Sequence, residues 1–251
     1  MAWVTIFIAS GSSFTRPSDW KNSNNIVDCI GGGGESAIYY NSGTPWYGAW
    51  SGGGGAWAIK TNITLSSSSV IIHVGNSTSA DNDTWFNGAS FAASSVGAKG
   101  GKDADTGLGD YEILGGQASE CIGDNAYSGG AGHYYASSAN GHNCGGGGAA
   151  GPHGAGGDGQ VTGGYGGSAL GGTGDGGYTA AGDDGTQYDA THGSGGGGPA
   201  YPGVSPVGGL YGGGAGARCQ YASYASGVGT SGLIVVAYER NAPGITAQIL
   251  G

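Results

Sequence analysis

Charged side chains are scarce in this 251-residue chain, at 10% of the total, and its seven lysines and arginines face seventeen aspartates and glutamates. A formal charge of −10 with so few cations argues against a nucleic-acid partner, because that affinity depends on Lys and Arg neutralising phosphates. No apolar run approaches the roughly 18 residues that span a bilayer as a helix, so membrane insertion is not expected. Amphipathic helical periodicity is missing throughout. So are the motifs G-x-S-x-G, H-E-x-x-H and G-x-x-x-x-G-K-[ST], and the chain reads as non-enzymatic and free of cofactors. Its four cysteines show no C-x-x-C spacing, and His133, His142, His153 and His192 have no spacing that builds a metal face, so no bound metal is expected.

What the chain has is glycine, 62 residues of it, concentrated between about Gly100 and Gly232. Average usage is roughly 7%, and glycine loses more backbone entropy on folding than any other residue. Low charge and interleaved aromatics oppose disorder. The glycines hold a local period of three, as in Gly151, Gly154 and Gly157, and again in Gly171, Gly174 and Gly177. Collagen is excluded by only seven prolines and by a phase that keeps resetting. An extended helix with three residues per turn has no internal hydrogen bonds, so its amides must be satisfied by neighbours. The block is therefore expected to be several short polyglycine II helices packed side by side. Turns are expected at Gly182-Asp183-Asp184-Gly185 and Pro199-Ala200-Tyr201-Pro202.

The remaining sequence carries nearly all the β-branched residues. Strands are predicted at Val4–Ile8, Asn25–Ile30, Ala56–Leu65, Val70–Val74 and Trp85–Ala92, with Leu233–Tyr238 as a buried central strand. A lone strand after the block needs partners from the N-terminal half. The expected fold is all-β: a jelly-roll-like β-sandwich base, residues 1–99 plus 233–241, closed by the C-terminal strand. The glycine-rich polyglycine II block, residues 100–232, is inserted into it, and 242–251 form a tail.

Several local features have both a structural and a functional reading. The four cysteines allow three pairings; they are either small buried thiols or include a Cys121–Cys144 disulfide closing the loop between them. Asp81/Asp83, Asp103/Asp105 and Asp183/Asp184 read as solvated turn residues rather than calcium ligands. Asn62, Asn76 and Asn82 match the N-glycosylation pattern, which polar turns produce freely. Met1–Ala9 is weakly like a secretory leader but lacks its positive start, and it reads as a retained first strand.

The opening Gly11-Ser12-Ser13-Phe14-Thr15-Arg16-Pro17-Ser18-Asp19-Trp20, then Asn24–Ile30 and the run Gly31–Gly34, resembles the start of glycine-rich tail-fibre and virion-appendage proteins of bacteriophages. The ending, Gly229-Thr230-Ser231-Gly232 into Leu233–Tyr238, is similar to the closing strand of that family. The middle is similar in composition to phage tail-tip adhesins in which polyglycine II helices present loops to the host. This chain departs from them in its four cysteines and in lacking a long fibre-docking domain.

The resemblance implies a virion location, other virion proteins as partners, a bacterial surface receptor of protein or glycan nature, and either a homotrimer or a monomeric cap docked through 242–251. Tyr, Ser, Gly and Asn also build binding loops elsewhere, since Tyr offers contact area at low entropy cost. The candidate receptor contacts are Tyr127, Tyr134, Tyr135, His142, Tyr165, Tyr178, Tyr188 and Tyr201; the competing role for each ring is to cover glycine backbone. Alternative readings are a capsid decoration or head-fibre protein, an ice-binding protein, and an extracellular matrix protein.

Overall fold

The computed structural model describes residues 2–41, 46–77, 82–105, 113–137, 142–160, 174, 176–177, 181–199, 206–220 and 223–240. Among these residues the chain is all-β, with no α-helix and two single 3-10 turns, at Phe91–Ala93 and Ala118–Glu120. The strands are β1 (Ala2–Ile8), β2 (Ser13–Thr15), β3 (Asn25–Ile30), β4 (Ala37–Asn41), β5 (Trp46–Trp50), β6 (Trp57–Thr61), β7 (Ser69–His73) and β8 (Thr84–Phe86). They continue with β9 (Val96–Ala98), β10 (Asn125–Tyr127), β11 (Tyr134–Ser137), β12 (His142–Cys144), β13 (Ala217–Gln220), β14 (Ser223–Ser226) and β15 (Leu233–Arg240).

A five-stranded antiparallel sheet of order β1-β15-β3-β6-β10 organises the molecule. The C-terminal strand β15 closes it as expected, pairing with β1 from Ala2↔Arg240 to Ile8↔Ile234 and with β3 on its other side. Period-two alternation sends Val27, Cys29, Ala58, Ile234, Val236 and Tyr238 into one core. There they meet Phe14, Val70, Ile72, Phe86 and Val96 from the sheet β2-β7-β8-β9. The alternate residues Ile30, Trp57, Leu233 and Val235 face the other way, onto Ala149, Ala150 and Tyr211 of the glycine-rich region. Burial on both faces explains why β15 reads as an unbroken apolar run, and each such side chain contributes about 1.5–3 kcal/mol.

Glycine segments extend from this sheet. Gly31–Gly34 follow β3 and lead toward β4; Gly52–Gly55 lie between β5 and β6; Gly129 and Gly130 lie between β10 and β11. Gly145–Gly148 follow β12, Gly212–Gly214 precede β13, and Gly227 and Gly229 lie between β14 and β15. In a strand the amides alternate between two directions; here they rotate through three. The amides of Gly52, Gly53 and Gly54 donate to the carbonyls of Ala215, Lys102 and Gly130, and Gly55 returns to the first neighbour at Gly212. Gly31, Gly32 and Gly33 donate to Ala56, Asn82 and Thr230, and Gly34 returns to Gly53.

The pattern runs twice through Gly145–Ala150: to Gln160, Gly198 and Gly52, then to Gly157, Gly195 and Gly55. These bonds measure 2.7–3.1 Å, so the missing internal bonds of each segment are supplied by its neighbours. The network crosses the expected base-to-block boundary at residue 99, with Gly31–Gly34 and Gly52–Gly55 bonded to segments from 100–232. Close approach is what demands glycine at these positions. A Cβ on Gly54 would fall on the carbonyl of Gly148, and one on Gly147 on the carbonyl of Gly130.

The expected glycine phases resolve differently from one another. Gly174 and Gly177 follow the three-residue pattern, donating to Ser194 and Gly197. Gly151 and Gly154 instead bond to each other at 3.1 and 3.2 Å across a tight turn, so their spacing is that of a turn. Gly157 lies beyond it and accepts from Gly148. Gly171 lies outside the described residues, as does the tail 242–251.

Candidate functional site

At the ends of the glycine segments away from the five-stranded sheet, six short strands form two small antiparallel sheets, β11-β5-β4 and β12-β13-β14. They pack through small buried side chains, Ala49, Cys144 and Ala217, with Ile38 against them. The register fixes which ends are distal. Ala37 pairs with Trp50 next to the glycines, while Asn41 pairs with Trp46 at the far end. Tyr47 is registered between Tyr40 on one side and Ser137 on the other. His142 pairs with Cys219, and Gln220 with Ser223, at the matching end of the second sheet.

The strand sequences AIYYN, WYGAW, YYAS, HNC, ARCQ and SYAS are aromatic and hydroxyl-rich, and Arg218 is their one charged residue. In a chain of net charge −10 this end is nearly neutral. Side chains of these types can stack and form neutral hydrogen bonds.

Three candidate contacts fall on the distal sheets by backbone position, Tyr134 and Tyr135 in β11 and His142 in β12. Tyr134 begins β11, where its ring stacks on Trp50 with centroids 4.6 Å apart. Tyr165, Tyr178 and Tyr201 lie outside the described residues. Tyr127 belongs to the other end of the molecule: it sits in β10, is half-buried, and stacks on Trp57 at 5.7 Å.

Tyr188 makes internal contacts at the five-stranded sheet. Its hydroxyl donates to Asp28 Oδ2 at 2.9 Å and accepts from Trp57 Nε1 at 3.0 Å, tying the 181–199 segment to the five-stranded sheet. Its ring packs against the core on that face.

The expected Cys121–Cys144 disulfide is corrected. Both are free thiols, as is Cys29. Cys121 packs beside the core between the two larger sheets and its Sγ donates to the carbonyl of Gln117, whereas Cys144 lies between the distal sheets with its Sγ on the carbonyl of Ala49. Burial pushes the Cys144 thiol up to about 12. Burial likewise raises Cys121 to about 11, against the opposing hydrogen bond from the Lys99 amide.

Among the described residues no group of His, Cys, Asp and Glu is arranged to hold a metal ion. Asn82 is 5% exposed, and its amide donates to Gly101 O and Asp103 Oδ1 at 3.1 Å, a structural role within the glycine network that leaves no room for a glycan. Asp83 pairs with Lys99 at 2.6 Å.

Sequence reasoning missed Tyr39, Tyr40, Trp46 and Tyr47 in the first distal hairpin. Their signal was present: Ile-Tyr-Tyr-Asn and Trp-Tyr-Gly-Ala-Trp flank Ser42-Gly43-Thr44-Pro45, aromatic runs around a turn sequence. No protein-family model matches the chain, and no curated protein matches it.

Proposed function

We propose that this chain is a non-enzymatic structural protein, a rigid β-scaffold that presents aromatic hairpins for recognition. Within that class we read it as a bacteriophage virion protein, a tail fibre or tail-tip adhesin that attaches to a host receptor. The glycine segments are polyglycine II helices, and the two larger sheets form a β-sandwich base. The observation that carries this reading is the glycine network itself. Amides that rotate through three neighbours lock segments on every side, and those segments join a doubly buried sheet to the neutral Tyr- and Trp-rich hairpins.

A scaffold so cross-bonded holds the hairpins in place while their sequence varies, because contact residues sit beyond the glycines rather than among them. The receptor is a neutral surface feature, either a glycan or a loop of an outer-membrane protein. An adsorption competition tests this: purified protein is added to candidate bacteria before the parent particle. Blocked adsorption is expected. Unimpeded adsorption in the presence of folded protein contradicts a receptor-binding role.

A further inference from the structure

The five-stranded sheet ends on one side at β1, a seven-residue strand of sequence AWVTIFI. All seven residues pair with β15 on the inner side. Among the described residues nothing hydrogen-bonds the outer side. Natural edge strands avoid association by being short, by carrying lysine or proline, or by being covered. Strand β10, at the opposite edge, is short, with three residues, and is bordered by Asp124, whose carboxylate bonds Thr61 and pairs with Lys60 at 3.6 Å. Among the described residues strand β1 has none of these protections: it is long, uncharged and without glycine or proline.

Its side chains are also self-complementary. Val4, Ile6 and Ile8 lean on the core between the larger sheets. Trp3, Thr5 and Phe7 alternate to the other side, where Phe7 stacks on His192 at 4.0 Å while Trp3 stays 53% exposed. If a second β1 lies antiparallel with a two-fold axis at Thr5, every residue meets one from its own side: Trp3 opposite Phe7, Val4 opposite Ile6, and Thr5 opposite Thr5 of the second copy. Aromatic and β-branched cross-strand pairs of this kind stabilise antiparallel sheets.

We propose that β1 pairs with β1 of a second copy of this chain, so that the five-stranded sheet runs continuously through a two-fold dimer. One edge used twice closes the assembly, as an isologous contact must. A three-fold ring would require a second, complementary edge, and β10 is too short to provide one. The pairing covers Trp3 and removes the unprotected edge.

The test is sedimentation velocity on the full chain and on variants at residue 5, an exposed position whose change leaves the core intact. The wild type is expected to sediment as a dimer of the 24.2 kDa chain. Thr5→Lys and Thr5→Glu place like charges together at the axis, and each alone is expected to lose the dimer. An equimolar mixture of the two is expected to recover it. A third variant, Trp3→Ser, is expected to weaken dimerisation at least about tenfold while the monomer stays folded. A monomeric wild type overturns the proposal and leaves the edge for a strand of another protein. A dimer that survives both charged variants, or a mixture that does not re-form it, also overturns it.

Discussion

The Tyr188 hydroxyl donates a 2.9 Å hydrogen bond to Asp28 Oδ2 and thereby joins the 181–199 segment to the centre of the five-stranded sheet. Asp28 Oδ1 is buried and has no hydrogen-bond partner among the described residues. Burial raises the Asp28 carboxyl to about 7, against the lowering effect of the Tyr188 bond.

A carboxyl that holds its proton longer in the folded state makes stability fall as pH rises. Below the unfolded value of 3.8 its effect is fully favourable; between there and about 7 the unfolded chain is ionised while the folded one keeps its proton. Over that window stability is expected to drop by up to about 1.4 kcal/mol per pH unit from this group. Thermal melts from pH 4 to pH 8 should show it, and Asp28→Asn should flatten that component. An unchanged slope in Asp28→Asn would count against the assignment.

Tyr188→Phe removes the donor to Asp28 and the acceptor for Trp57 Nε1. A loss of about 1–3 kcal/mol is expected in denaturant unfolding, since two buried polar groups lose a partner. Receptor binding should be unaffected in the variant that remains folded.

Adjacent glycines should respond differently to alanine. A Cβ on Gly32 meets nothing closer than 3.3 Å, whereas one on Gly33 would fall on the carbonyl of Gly213. Gly32→Ala is expected to stay within about 1 kcal/mol of the wild type, and Gly33→Ala to lose about 3 kcal/mol or more as neighbouring segments are forced apart. Equal melting temperatures for the two variants would refute the close-packed network.

Reducing agent should leave the melting temperature unchanged, because Cys29, Cys121 and Cys144 are free thiols. Loss of a native disulfide would typically cost about 2–5 kcal/mol. In the native protein the buried Cys29 and Cys144 are expected to resist a thiol reagent that modifies them in denaturant.

Strands buried on two faces were legible in the sequence, because apolar runs there are long and bounded by turn residues. Asn25–Ile30 lies where it was expected, and β15 extends the expected Leu233–Tyr238 to Arg240. The distal strands were legible only as aromatic runs around a turn sequence: they are short and polar or aromatic, and period-two hydrophobicity is missing from them. The glycine pattern misled at Gly151 and Gly154, where a turn mimics a three-residue repeat. The same period was invisible in Gly145–Ala150, since a run of uniformly small residues carries no phase. Of the candidate site, Tyr134, Tyr135 and His142 lie in the distal strands, but Tyr188 could not be told from a surface ring because its partners, Asp28 and Trp57, are 160 and 131 residues away.

Binding through the distal hairpins should be nearly independent of salt. Arg218 is the one charged residue in those six strands, so screening has little to act on. Attachment of labelled protein to bacteria is expected to change less than about twofold between low and physiological ionic strength. A steep decline would indicate recognition by the acidic remainder of the chain.

The most direct measurement is attachment of fluorescently labelled protein to host cells, comparing the wild type with a Tyr40→Ser, Tyr47→Ser double variant of equal melting temperature. These two positions pair across the distal hairpin. Recognition by that hairpin predicts that the wild type binds saturably and that the double variant loses at least about tenfold in affinity, as expected when paired aromatic anchors are removed. Equal binding by the two proteins would contradict it.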